Sequence, residues 1–246
     1  MHNNPKKRQE DILAIIVKQY VETAEPVGSR LVARRLGLSS ATIRNIMADL
    51  EDLGYIMQPH TSAGRIPTDK GYRYYIDSLM QLKTINEQTI KDIKDEYSVA
   101  IRSMEDILEH ASHLISHITN YVGITLFPEY EKVYLDGTSH IIEQPEFKDL
   151  KKLYTLIKYL EEKRQLLSLL SSERNTDSLT IHIGRENGFG YLSECSIVSR
   201  GYKMKGKVSG RVGVIGPKRM VYEKVIPTVE LLADTVTEML ERLDSK

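Results

Sequence analysis

The stretch from Pro26 to Thr68, PVGSRLVARRLGLSSATIRNIMADLEDLGYIMQPHTSAGRIPT, is punctuated so often that few folds can use it. It follows a helix predicted over 8–23, where Ile12, Ile15, Ile16, Gln19, Tyr20 and Thr23 recur at helical spacing. Pro26 and Gly28 break that helix, and Ser29 is placed to cap a second one, RLVARRL. GLS makes a tight turn. Ser39 or Ser40 then caps a third helix, ATIRNIMADLEDL, which Gly54 stops where a left-handed residue is wanted. On this helix Ile43, Ile46, Met47, Leu50 and Leu53 form one stripe, while Thr42, Arg44, Asn45, Ala48 and Asp49 face away. YIMQ reads as a strand and RIP as its partner, which leaves PHTSAG as the tip of a hairpin. Three helices followed by a hairpin describe a winged helix-turn-helix.

From Thr68, an N-cap, a further helical stretch carries Tyr72, Tyr75, Ile76, Leu79 and Met80. Beyond it Ile90, Ile93, Tyr97, Ile101, Met104, Leu108, Ala111, Ile115 and Ile118 recur in steps of three and four, a heptad rhythm. Such a helix packs either on this chain's own second domain or on a second copy. After Gly123 the composition changes. YVGITLF and KVYLDG read as strands, 146–171 as a Leu- and Lys-rich helix pair, and LTIHIG, SIVSRGYKM and KVSGRVGVIG as an antiparallel set. A closing amphipathic helix over 222–243 uses Val225, Val229, Leu232, Ala233, Val236, Met239, Leu240 and Leu243. The reading is α+β: a winged-helix domain over 1–76, a helical connector or dimerisation helix over 77–120, and an α+β domain over 121–246.

Charge and cysteine content bound the partners. The chain is neutral overall, yet residues 1–76 hold eleven Lys and Arg against eight Asp and Glu, a mildly basic front. One cysteine, Cys195, allows no intrachain disulfide. No apolar run approaches the length that spans a bilayer, and the N-terminus lacks a signal-peptide core. These features predict a soluble, cytoplasmic, nucleoid-associated protein with no membrane partner. Three constellations invite an enzymatic or metal reading and do not sustain it. GYKMKGKV, Gly201 to Val208, has Val208 where a phosphate-binding loop needs Ser or Thr, and a strand rather than a helix follows, so a β-turn is expected. His110, His113 and His117 can share a helix face, but no Cys or second cluster accompanies them, so a solvated face is expected. Cys195 has no His or Asn at a nucleophile's spacing, and the adjacent Glu161 and Glu162 diverge on a helix. No catalytic residue, metal or cofactor is assigned.

The winged helix offers DNA-binding chemistry instead. At the N-terminal half of the third helix Arg44 can give a bidentate bond to guanine and Asn45 to adenine, with Ser39, Ser40 and Thr42 reaching phosphates or bases. Arg30, Arg34 and Arg35, on or just before the second helix, can hold phosphates. His60, Thr61 and Arg65 belong to the wing, where Arg65 beside Gly64 suits a narrow minor groove. Any one of these arginines alone is more often a solvated one; together they occupy the surfaces this fold uses. Useful affinity from so modest a positive excess calls for two copies on double-stranded DNA. Two rivals are a winged helix that contacts only proteins and a regulator whose second domain senses a small molecule.

SSATIRN, ADLE-LGY and QPHTSAGRIPTDKGYRYY, all within Pro26 to Asp77, together resemble the N-terminal domain of the HrcA family of bacterial heat-inducible transcription repressors. VYLDGTSHIIEQPEFKDLKKL and GRVGVIGPKRMVYEKVIPTVELLADTV are similar to that family's GAF-like domain. The resemblance implies a homodimeric repressor of chaperone genes on an inverted-repeat operator of the CIRCE type, with a GroE-type chaperonin promoting its active form. Family members usually carry part of the GAF-like sheet and an inserted dimerisation domain between the VGITLFP-like and VYLDGTS-like segments. Here only EYEK, Glu129 to Lys132, stands in that place, so the second domain is expected to be an abbreviated GAF-like one.

Overall fold

The computed structural model describes residues 5–100, 103–169, 173 and 176–244, with backbone alone for 94–100 and 169. Helix α1 (Pro5–Thr23) buries Ile12, Leu13, Ile16 and Val17, so the buried stripe is centred on Leu13 and Val17 beside the predicted Ile12 and Ile16. Removing each such aliphatic side chain from water stabilises the fold by about 1.5–3 kcal/mol. Helix α2 (Ser29–Leu36) opens on Gly28 as N-cap with no side-chain cap bond. Ser29 is thus the first helical residue and not the cap. The turn after α2 is carried by Gly37 at φ 66°. Helix α3 (Ser40–Asp52) is capped by Ser39, whose hydroxyl accepts from the Thr42 amide at 3.0 Å. Ile43, Met47 and Leu50 turn inward, whereas Leu53, the C-cap, is exposed and lies outside the buried stripe. Gly54 follows at φ 74°, the left-handed turn that the sequence predicts.

Strands β1 (Ile56–Met57) and β2 (Ile66–Pro67) pair antiparallel as a hairpin with two residues in each strand, Ile56 opposite Pro67 and Met57 opposite Ile66. Thr68 caps α4 (Asp69–Tyr74) through the Gly71 amide at 3.1 Å. A π-helical turn, Tyr75–Leu79, closes this part of the chain, and the Tyr74 hydroxyl donates to Glu10 on α1 at 2.8 Å.

The predicted heptad does not run through one helix. Helix α5 (Glu87–Ala100) is separate from α6 (Met104–Thr119), which starts at a capping box: the Ser103 hydroxyl accepts the Asp106 amide and the Asp106 carboxylate accepts the Ser103 amide. Ile101 and the Tyr97 side chain lie outside the described residues. Helix α6 buries Ile107, Leu108, Ala111, Leu114 and Ile115 against the chain's own sheet and terminal helix. Packing within the subunit therefore accounts for its apolar stripe.

That sheet has five antiparallel strands: β3 (Val122–Phe127), β4 (Lys132–Asp136), β5 (Leu179–Ile183), β6 (Cys195–Met204) and β7 (Lys207–Pro217), in the order β4-β3-β7-β6-β5. One face receives α6 and α10 (Tyr222–Asp244). The other carries Val122, Ile124, Leu126, Ile197 and Ile215 into a core with α7 (Ser139–Ile142), α8 (Leu150–Glu161) and α9 (Lys163–Leu169). An antiparallel sheet between helical layers meets the α+β, GAF-like expectation. Residues 170 and 171 of the predicted helix pair lie outside the described residues. Pro128 to Glu131 make a tight turn between β3 and β4, with Glu131 left-handed at φ 50°, so the abbreviated segment still closes a hairpin. The loop read as a β-turn in GYKMKGKV is the β6–β7 turn; Lys205 and Gly206 at φ 53° and 73° give the twist that a two-residue hairpin loop requires. Cys195 is buried at the start of β6. In α10, Pro227 has no amide for the Glu223 carbonyl; the Lys83 amide takes it at 3.1 Å. The chain divides into two compact units, Met1–Gln81 with Lys218–Val221, and Leu82–Pro217 with Tyr222–Lys246. Helices α5 and α6 therefore belong to the second unit.

Arg211 on β7 is buried at 2% exposure, which only a full set of acceptors makes tolerable. Its guanidinium donates to the carbonyls of Glu173, Thr176, Ser178 and Ser199 and to the hydroxyls of Thr180 and Ser199, tying residues before β5 to the sheet. His182 Nε2 lies 2.5 Å from Glu173 Oε1, and this hydrogen bond raises the imidazole above its ordinary value against the pull of burial. Burial works to raise Glu173, but hydrogen bonds from His182 and Thr180 and the charges of His182 and Arg211 outweigh it and hold the carboxyl low. Stability from a raised His182 is complete below pH 6.5 and fades as pH climbs through the folded value; stability from a lowered Glu173 is lost as pH falls below 4.5. The stability gap between the parent and a His182→Gln variant should therefore be widest between pH 4.5 and 6.5 and narrow at higher pH, as read by urea unfolding from within that range to well above it. A gap independent of pH would show that His182 is neutral in the fold.

Candidate nucleic-acid interface

Helix α3 is presented by its cap. Ser39 has β-region dihedrals, and its hydroxyl lies 2.9 Å from that of Thr42 as well as accepting the Thr42 amide. Ser39 is thereby committed to starting the helix, and Thr42 is half-buried beside it. Past this cap the outward positions are Ala41, Arg44, Asn45, Ala48 and Asp49, all exposed. Arg44 Nε reaches the Ser40 carbonyl at 3.4 Å, a weak contact that leaves the rest of the guanidinium facing outward. Arg30 and Arg34 on α2 are exposed; Arg35 is drawn to Gln19 on α1 at 2.5 Å.

The wing tip, His60 to Ser62, is exposed, and its loop is held by Gln58. The Gln58 side-chain amide donates to the Thr61 carbonyl at 2.9 Å and the Ala63 carbonyl at 3.0 Å. The Ala63 amide closes on the His60 carbonyl at 2.9 Å. Glu51, in the last turn of α3, holds the hairpin at both strands: one oxygen accepts the Gln58 amide at 3.1 Å and the other the Arg65 Nε at 2.8 Å. Arg65 also pairs its backbone with Val27, in bonds of 2.9 and 3.0 Å. A Cβ at Gly64 would collide with the backbone of Pro26 and Val27, so glycine is needed there for contact with the α1–α2 connection.

Arg65 thus has a different place from the one the sequence suggests. It sits where the wing loop enters β2, with its side chain only 23% exposed and its charge balanced by Glu51. What it does in this structure is fix the wing to α3. The tip positions are His60, Thr61 and Ser62.

One concavity is lined by Arg30 from α2, Arg44 from α3 and Gln58, Ser62 and Arg65 from the hairpin. A second lies along α3, where Arg8 of α1 joins Thr42, Asn45 and Asp49. Sequence reasoning brought Arg30, Arg44, Asn45 and Thr42 to these surfaces and missed Glu51, Gln58, Ser62 and Arg8. Gln58 and Glu51 stand within the motif runs QPHTSAGR and ADLE-LGY, but their partners become visible only with the hairpin folded. Arg8 belongs to the basic run PKKR, whose nearness to α3 depends on the crossing of α1.

In the second unit His110, His113 and His117 lie along α6 with successive ring centroids 6.3 and 6.4 Å apart. His113 Nδ1 is 3.1 Å from Asp136 Oδ2 on β4.

Comparison with known sequences finds two family models along the chain. A family model described as the winged helix-turn-helix transcription repressor, HrcA DNA-binding, matches residues 6–91. A second, the HrcA protein C-terminal domain, matches residues 129–226. The heat-inducible transcription repressor HrcA of Brevibacillus brevis is 31% identical over 333 aligned positions, covering 95% of this chain and 97% of that protein. That of Pelotomaculum thermopropionicum is 30% identical over 337 positions, covering 96% and 97%. Both alignments are longer than the 246 residues of this chain, so these relatives carry segments with no counterpart here. A crystal structure of a hypothetical protein has a TM-score of 0.78 at 22% identity, covering 96% of this chain and 98% of that one, and shares the fold.

Replacing Glu51 with Ala removes together the ion pair to Arg65 and the side-chain acceptor of the Gln58 backbone amide. The expected loss is about 1–2 kcal/mol of stability, reduced from the buried value because both partners are partly solvated. Amide exchange at Thr61 to Gly64 should quicken while α3 stays protected. Unchanged protection at those amides would mean that the wing is held some other way.

Proposed function

This chain belongs to the HrcA family of heat-inducible transcription repressors, and from that membership we propose that it represses chaperone genes by laying α3 in the major groove of an inverted-repeat operator of the CIRCE type. Two copies of the chain occupy the two half-sites. The observation that carries this reading is the outward face of α3: Arg44 and Asn45 are exposed at its N-terminal half, beside a wing locked to the same helix by Glu51. Arg44 presents the planar fork that matches guanine O6 and N7, and Asn45 the amide that matches adenine N6 and N7. Arg30 and Arg34 supply phosphate contacts that set register without reading sequence. His60 and Thr61 at the wing tip meet the neighbouring backbone or minor groove. Arg65 acts through the wing it anchors and not as a groove-inserted side chain.

The family resemblance supports control by a GroE-type chaperonin. When unfolded proteins occupy the chaperonin during heat shock, active repressor declines and chaperone transcription rises.

A salt titration of binding to a duplex carrying the inverted repeat, beside a scrambled duplex of equal composition, tests the reading. Preferential binding with two chains per duplex is the expected result, with affinity falling steeply as salt rises. Arg44→Ala should weaken operator binding by about 1–3 kcal/mol and change scrambled-duplex binding much less. Equal losses on both duplexes would remove Arg44 from base reading, and weak, equal binding by the parent chain would remove the repressor mechanism proposed here.

A further inference from the structure

We propose that a second copy of this chain docks along the free edge of β4, so that two β4 strands pair antiparallel about a two-fold axis midway between their Tyr134 residues. This rests on the two-copy reading above and adds the surface that joins the copies in the second unit. Strand β4 is the end strand of its sheet and bonds only to β3 among the described residues. An edge strand presents unpaired amides and carbonyls to any strand that matches it.

The residues of β4 match a second copy of themselves. Its sequence is Lys132, Val133, Tyr134, Leu135, Asp136. In an antiparallel pairing centred on Tyr134, Lys132 faces the second copy's Asp136, and Asp136 faces the second copy's Lys132. Val133 and Leu135 face each other in the same way. Opposite charges directly across an antiparallel pair attract, and like charges repel. An edge that excludes copies of itself carries charges of one sign, or a lone lysine; opposite signs placed symmetrically about a centre do the reverse.

The two sheet faces agree with this register. Lys132 and Asp136 lie on the α6 side, where Lys132 contacts Glu105 at 2.6 Å and Asp136 contacts His113 at 3.1 Å. Lys132 and Asp136 remain 38% and 41% exposed, so a partner can reach both. Pairing would join Glu105, Lys132 and the second copy's Asp136 into a row of alternating charge across the axis. On the other side Val133 and Leu135 line an apolar groove with Ile142, which is 59% exposed, and the two-fold brings this groove against its own copy. The opposite edge, β5, reads Leu179, Thr180, Ile181, His182, Ile183 and has no such complementarity; its Thr180 and His182 are engaged with Glu173.

Sedimentation of the full chain tests the register by charge exchange. Lys132→Asp alone, or Asp136→Lys alone, sets two like-charge pairs across the axis, and each should weaken the dimer by about tenfold or more. The double variant Lys132→Asp with Asp136→Lys restores opposite charges across the axis and should recover dimerisation. Within one chain the same exchange sets a carboxylate against Glu105 and an ammonium against His113, so recovery cannot come from intrachain pairing. As an independent measurement, Tyr134→Cys should oxidise to a covalent dimer, since directly opposed Cα atoms lie about 4.5–5.5 Å apart. Lys132→Cys alone should not, and the native Cys195 is buried. A dimer indifferent to the single reversals, or no covalent dimer from Tyr134→Cys, overturns the β4 seam and leaves the two-copy reading standing. A parent chain that binds the inverted-repeat duplex only as a monomer overturns the two-copy reading, and the seam with it.

Discussion

The wing depends on one carboxylate. A hairpin with two residues in each strand cannot hold its own shape in water. Glu51 supplies what the strands lack by receiving the Gln58 amide where the hairpin departs and the Arg65 guanidinium where it returns. Because Glu51 lies on α3, the same contact that makes the hairpin also sets its position relative to Arg44 and Asn45. Gln58 extends this order to the loop through the Thr61 and Ala63 carbonyls, and the Val27–Arg65 bridge extends it to the connection between α1 and α2. The two surfaces that the proposed complex sets against one duplex are thereby fixed beforehand, which lowers the ordering entropy of binding.

How much of this was legible in the sequence follows from the range of the interactions. Ser39 capping α3, Gly54 turning left-handed after it and Thr68 capping α4 are contacts spanning three residues or fewer, and the residue types announce them. Helical periodicity exposed the stripe Ile43, Met47, Leu50 and hence the opposite face that carries Arg44 and Asn45. Arg65 was misplaced because its partner lies fourteen residues away on another element. The pattern places Arg65 where the tip meets the returning strand, but says nothing of the carboxylate on α3 that takes its side chain. Ser29 failed as a cap for a smaller reason: the chain enters α2 one residue earlier, at Gly28.

The second unit shows the same boundary. Alternation and turn residues marked all five strands, including the Lys205–Gly206 turn that a phosphate-loop pattern partly imitates. Arg211 was invisible by the same logic, since an arginine within KVSGRVGVIGP reads as a residue facing water. It is buried because Glu173, Thr176 and Ser178 bring carbonyls to it from a segment over thirty residues earlier in the chain. No local pattern encodes that convergence. The short β3–β4 turn is its counterpart. EYEK is visible as a place where relatives have more chain, but that Pro128 and a left-handed Glu131 close it into a hairpin is a fact of the folded sheet.

The heptad rhythm carries the most instructive ambiguity. Apolar residues at three- and four-residue steps satisfy a partner helix and a subunit's own sheet equally well, because both ask only for one continuous apolar stripe. In α6 the stripe of Ile107, Leu108, Ala111, Leu114 and Ile115 is already covered by β3 and α10, and the capping box at Ser103 sets the helix apart from α5. A surface covered inside the subunit is not available to a second one. Association through this unit can instead use backbone bonding capacity that folding leaves open, which in an antiparallel sheet lies at the end strands. Of the two, β5 has its polar side chains committed to Glu173, whereas β4 keeps opposite charges at its two ends in reach of solvent.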